Sequence, residues 1–195
     1  MAEIEIPNLE ELEELKAKKF TKRVALTTAI FAVMLAITSL GGNNAMKGML
    51  LAQQQASDQW AFYQSKVMRE HLYKTNRDML EALLFDRGNT MNPAAREHYE
   101  ALRKRFDDEA ARYRDEKVKI EKDARKQEAD RDVNNSKDPY FDFAEVLLQI
   151  AIVLSSISIL SGSRLMFFLS IGSAVIGSVL SMNGYLLLFR IPFFH

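Results

Sequence analysis

The feature that most constrains this chain is where charge is missing. From Val24 to Met46 there are 23 consecutive residues without a charged side chain, and from Leu165 to Phe189 another 25. A third uncharged stretch, Val146 to Ser163, is separated from the last by Arg164 alone. A helix needs roughly 17–25 apolar residues to cross a bilayer core about 30 Å thick, so each stretch is long enough. Charge crowds instead between residues 96 and 138, which hold 13 basic and 13 acidic side chains. The mean hydropathy of -0.16 averages these two unlike populations. The segregation predicts an all-α membrane protein: three transmembrane helices, with a long extramembrane antiparallel helical hairpin between the first and second.

The remaining composition excludes more than it assigns. With 195 residues the chain holds one domain or at most two. Its 26 basic and 26 acidic residues balance, so no net positive field favours nucleic acid. The absence of cysteine removes disulfides and thiolate chemistry.

In chain order, residues 1–22 read as a cytoplasmic amphipathic helix. Asn8 is its expected cap, glutamates occupy its first turn, and lysines its last. Residues 23–42 are the first span. Six glutamates in the 23 residues before the apolar run favour an uncleaved anchor over a signal peptide. Residues 43–138 form the hairpin, turning near 87–93, with Gly41-Gly42-Asn43-Asn44 as a bend at its entry. Residues 139–163 and 165–189 are the second and third spans, and 190–195 a short tail. Asp138 before Pro139 reads as a helix start, and the SGSR turn makes the last two spans a tight pair. Lysine and arginine gather before the first span (Lys16, Lys18, Lys19, Lys22, Arg23) and in the short turn (Arg164). By the positive-inside rule this puts the N-terminus in the cytoplasm, with hairpin and C-terminus outside.

Within the hairpin the outgoing apolar spacing is about 3.5 residues. Met49, Ala56 and Tyr63 alternate with Ala52 or Gln53, Trp60 and Val67, a coiled-coil-like seam. It then drifts onto a rotated face through Leu72, Met79, Leu80 and Leu83. The helix is expected to end at Arg87-Gly88-Asn89, through left-handed Gly88 or Asn89, and to restart at Asn92-Pro93. The return seam is Tyr99, Leu102, Phe106, Ala110, Tyr113, Ile120 and Ala124, interrupted by Lys117. Pairs four apart (Glu100–Lys104, Asp108–Arg112, Asp115–Lys119, Glu121–Arg125) read as a solvated face. Trp60, Phe62, Tyr63 and Val67 exceed what one narrow seam needs and mark an expected oligomer or partner contact.

Each span carries files of small residues that let helices approach closely. The first has Ala25, Ala29, Ala32 and Ala36, and the second Ala151, Ser155, Ser158 and Gly162. The third has Ser170, Ala174 and Ser178, beside Ser173, Gly177 and Ser181. Ala29, Ala36, Ser155, Ser173, Gly177 and Ser181 are the expected packing positions. Small residues are also simply common in spans. Glu145 and Gln149, four apart on the second span, are candidates for an ion pathway, although Glu145 lies shallow enough to reach headgroups. Asn183 is a third polar residue, late in the last span.

At AITSLGGNNA, SDQWAFYQSK and LLQIAIVLSSISIL the chain resembles an uncharacterised bacterial membrane-protein family, the domain of unknown function numbered four-three-three-seven. The resemblance runs from the first span through the third. It implies three spans, a bacterial source and no assigned activity.

The sequence has no HExxH, P-loop, GxSxG or dinucleotide fingerprint, and the three histidines, His71, His98 and His195, are far apart. No catalytic residue, cofactor or metal is expected. The reading is a non-enzymatic oligomeric scaffold, or an accessory subunit of a larger complex, in the bacterial inner membrane. Its partners are the lipid bilayer and either copies of itself or that complex. The alternative is a channel or proton-pathway subunit, whose three-span layout the proton-channel subunits of energy-transducing motors share.

Overall fold

A computed structural model describes residues 9–189. The expected Asn8 cap and the tail at 190–195, with Arg190 and His195, lie outside them. The described residues form three helices and no strand: α1 (Leu9–Arg87), α2 (Pro93–Ser161) and α3 (Arg164–Leu186). All three are long and apolar enough to cross a membrane by length and composition. The chain divides into two compact units. Unit 1 is Met1–Gly48 with Val133–His195, and unit 2 is Met49–Asp132.

In unit 1, α1 buries Val24, Phe31, Thr38 and Ala45, every seventh residue. Phe31 packs in a small core with Leu148 and Ala151 of α2 and Ala174 of α3. The α1 and α3 segments run parallel. Phe20 meets Phe167 edge-on at 5.8 Å, the Thr38 and Ser181 hydroxyls hydrogen-bond at 2.9 Å, and the Tyr185 hydroxyl donates to the Ile37 carbonyl at 2.9 Å. Against α2, α3 runs antiparallel: Ser155 donates to Ser170 at 3.0 Å, and Ser173 to the Leu147 carbonyl at 2.7 Å.

Two expected breaks do not occur. The helix passes through Gly41-Gly42-Asn43-Asn44, because these glycines provide close approach rather than a bend. A Cβ on Gly41 would fall 2.6 Å from both the Phe141 ring and the Tyr185 hydroxyl, and one on Gly42 3.1 Å from Phe141 Cβ. Likewise α2 does not start at Asp138-Pro139; Pro139 lies inside it. A proline there removes one backbone donor, a cost of ~3 kcal/mol in an ordinary helix, but packing on both sides holds the helix together. Asn134 closes on Gly48, and Tyr140 and Phe141 are buried. The third helix ends at Leu186, short of 189, because Asn183 captures the chain beyond it. Its side chain donates to the Phe189 carbonyl at 2.8 Å and accepts from the Phe189 amide at 2.9 Å, with Leu187 left-handed at φ 49°.

In unit 2 the contacts between α1 and α2 fall in residue number on α2 as they rise on α1. Trp60 meets Glu128, Lys66 meets Glu116, Tyr73 meets Tyr113 and Arg77 meets Asp107. Asn92 caps α2 by accepting from the Ala94 amide at 3.0 Å. Helix α1 stops at Arg87, but by a right-handed turn: neither Gly88 nor Asn89 has positive φ, and the Thr90 and Met91 amides both donate to the Arg87 carbonyl.

Candidate functional site

The seam of unit 2 keeps its coiled-coil spacing past Val67. The positions facing α2 include Trp60, Tyr63, Val67, Glu70, Lys74 and Arg77, alternating three and four apart. Leu72 and Met79 lie outside it, 57% and 67% exposed. Of the four residues expected on a rotated face, Leu72 and Met79 therefore form an outward row and Leu80 and Leu83 are half-buried beside Phe106, while charged residues occupy the seam.

Glu70 is the centre of that charged stretch. Its side chain is only 4% exposed, between two lysines. Lys74, one turn on, donates to Oε1 at 2.6 Å. Lys117 of α2 brings its ammonium to 2.6 Å from Oε2. The Lys117 ammonium and then Lys74 hold the Glu70 carboxyl below its ordinary value, against the opposing effect of burial. Lys117, the expected interruption of the α2 seam, is thus the partner of a buried acid.

Around this pair the helices add a second layer. Lys66 donates to Glu116 at 2.6 Å, holding that carboxyl low. Tyr113, buried, stacks on Tyr73 at 5.6 Å and 14°, with the Arg112 guanidinium 4.8 Å from its ring centre. Charge pairs of this kind in a coiled-coil seam fix register and direction, since a slip would bury Glu70 against an apolar side chain.

The four residues expected at a partner contact divide. Trp60, Tyr63 and Val67 turn toward α2; Trp60 Nε1 donates to Glu128 at 2.9 Å and its ring meets Tyr63 edge-on at 5.4 Å. Phe62 faces outward, half exposed, with Lys66 Nζ 4.9 Å from its ring centre. The surface ion pairs also differ from expectation. Glu121–Arg125 forms at 2.9 Å, but Arg112 pairs with Glu109 and Glu116 rather than Asp108, and Glu100 with Arg96 rather than Lys104.

In unit 1, Ser155 and Ser181 are buried, Ser173 bonds across to α2, and Gly177 lets α2 approach. A Cβ at Gly177 would meet the Ala144 carbonyl at 3.0 Å. Ala29 and Ala36 lie on the outward side of α1, whose inner face is the Val24–Phe31–Thr38 row. Glu145 is half-buried and Gln149 exposed, and the two do not converge with other polar groups. Asn183 acts in the chain reversal after α3. The buried Glu70 escaped sequence reasoning; Lys117 breaking an otherwise apolar seam was the signal that could have found it.

Among the described residues no group of three or more His, Asp or Glu side chains is placed to hold a metal ion. His71 and His98 are both exposed. Among the described residues the arrangement is one of packing faces and ion pairs.

Comparison with curated proteins and with solved structures finds no match. A family model does match, over residues 20–187, from Phe20 within α1 to the residue after α3. This chain belongs to the family described as Domain of unknown function (DUF4337).

Proposed function

We propose that the chain is a non-enzymatic, oligomeric membrane scaffold or accessory subunit. Unit 1 lies in the bilayer as three spans, and unit 2 is an extramembrane antiparallel hairpin that associates with further copies. The observation that carries this reading is the direction of most of the large apolar side chains, which point outward in both units. In unit 1, Leu26, Ile30, Val33, Ile37 and Leu40 of α1 are exposed, as are Val153, Leu160, Leu169 and Val179 of α2 and α3. Thr38, Ser155, Ser158, Ser170 and Ser181 are buried instead. Water would penalise that inversion. Lipid favours it, because helices in hydrocarbon gain by packing small and hydroxyl residues together.

In unit 2 the outward row holds Leu51, Leu72 and Met79 on the side of α1 opposite the seam, with Phe62 and Met68 beside it. A face of that kind on a hairpin outside the bilayer needs a protein to cover it, and a second hairpin offers a matching one. Unit 1 also gathers Lys16, Lys19, Arg23 and Arg164 at one end, which agrees with a cytoplasmic N-terminus in the inner membrane of a bacterium.

The test is mass in a mild detergent that preserves assemblies. More than one chain per particle is expected, and a monodisperse single chain would overturn the scaffold reading.

A further inference from the structure

The end of unit 1 that carries the N-terminal part of α1 and the start of α3 contains a cavity of about 370 Å³. Four cations line it: Lys16, Lys19 and Arg23, on one face of α1, and Arg164, the first residue of α3. No carboxylate lines it, and among the described residues none of the four cations forms an ion pair. This contrasts with unit 2, where Lys66, Lys74, Arg77 and Lys117 all meet acids. The other wall is Phe20, Phe167 and Phe168, with Phe20 edge-on to Phe167. Ser163, at the N-cap of α3, makes no side-chain capping bond, so the helix end adds its partial positive charge to the same place.

We propose that this cavity binds the phosphate headgroup of an anionic phospholipid. Four unpaired cations in one concavity repel one another and are stabilised by a multivalent anion. Arg23 directly precedes the first apolar stretch and Arg164 separates the second from the third. In the three-span reading, on which this inference rests, the cavity therefore lies at headgroup depth. A free phosphate has no use for three phenylalanines, whereas a phospholipid offers acyl chain to that wall and phosphate to the cations. Basic pockets between spans recognise headgroups by this combination.

The full chain, purified in mild detergent, is incubated with phosphatidylglycerol or phosphatidylcholine, and retained lipid is counted by native mass spectrometry. Wild type is expected to retain phosphatidylglycerol in preference. The double variant R23Q/R164Q loses about twenty-five-fold in that binding, since each cation near a headgroup is worth on the order of fivefold. K16Q/K19Q, on the exposed start of α1, is a second test should the first variant misfold. K47Q/K137Q removes the same charge elsewhere and retains wild-type binding. Equal retention of the two lipids, or undiminished binding by both cavity variants, overturns the proposal. So does inorganic phosphate that binds alone and displaces the lipid, which would make the site one for a soluble anion. Alkaline carbonate washing of native membranes separates the two readings. Protein released by carbonate defeats the three-span reading, whereas resistant protein without lipid preference defeats the headgroup site alone.

Discussion

Replacing Glu70 with glutamine removes the charge at the centre of the unit 2 seam while keeping volume and one acceptor. A hydrogen bond to a charged group nets about 1.5–3 kcal/mol, and breaking a fully buried ion pair costs about 3–5 kcal/mol. Glu70 is buried, but the Lys74 and Lys117 side chains are 40% and 24% exposed and recover water when their partner goes. The expected loss is therefore near the lower bound, about 2 kcal/mol. Measured by amide hydrogen exchange with mass spectrometry, protection across residues 66–77 and 106–120 should fall by about thirtyfold at neutral pH.

The effect should depend on pH in one direction. The Glu70 carboxyl has its folded-state pKa below its ordinary value of 4.5. Its contribution is therefore complete above that pH and is lost as pH falls through the lower folded-state value. The difference between wild type and Glu70→Gln should be full at neutral pH and shrink in acid below about pH 4. The double variant E70L/K117M, which makes the seam apolar, should regain the lost protection or exceed it. Unchanged protection in Glu70→Gln, or a difference that persists undiminished in acid, would refute the assignment of Glu70 as a charged seam residue.

Two further substitutions test the packing on each side. Gly41→Ala should lower thermal stability in detergent by about 1–3 kcal/mol, because the buried Phe141 ring cannot retreat from the new methyl. Gly172→Ala, with nothing within 4 Å of its added carbon, should be neutral or stabilising by up to about 1 kcal/mol. In the proposed oligomer, L72K/M79K should give single chains while leaving protection in unit 2 intact, since both side chains are exposed; unchanged mass would remove the outward row as the contact.

The sequence was most legible where a residue type has one meaning. Uncharged runs located the apolar helical stretches, and Asn92-Pro93 located a helix start, because a capping amide before a proline suits little else. It was misleading where a residue serves two roles. Gly41 and Gly42 read as a bend but admit Phe141, and local sequence does not reveal what packs across a helix. Asp138-Pro139 reads as a start for the same reason: contacts distant in sequence keep α2 continuous. Apolar periodicity followed the seam only as far as Val67. Beyond it Glu70, Lys74 and Arg77 take the inward positions, so the pattern moved to Leu72 and Met79 on the opposite side. The alanines of the first stretch were attractive for their spacing, yet the buried face is the seven-residue row from Val24 to Ala45.

The proposed arrangement, with unit 1 spanning a bilayer, unit 2 outside and the N-terminus in the cytoplasm, has one direct test. The chain contains no cysteine, so single cysteines at Thr21 and Thr90, both exposed, can be labelled with a membrane-impermeant maleimide. T90C is expected to label in intact spheroplasts and T21C only in inverted vesicles. Labelling of both positions from the same side, or of T90C only from the cytoplasmic face, would contradict it.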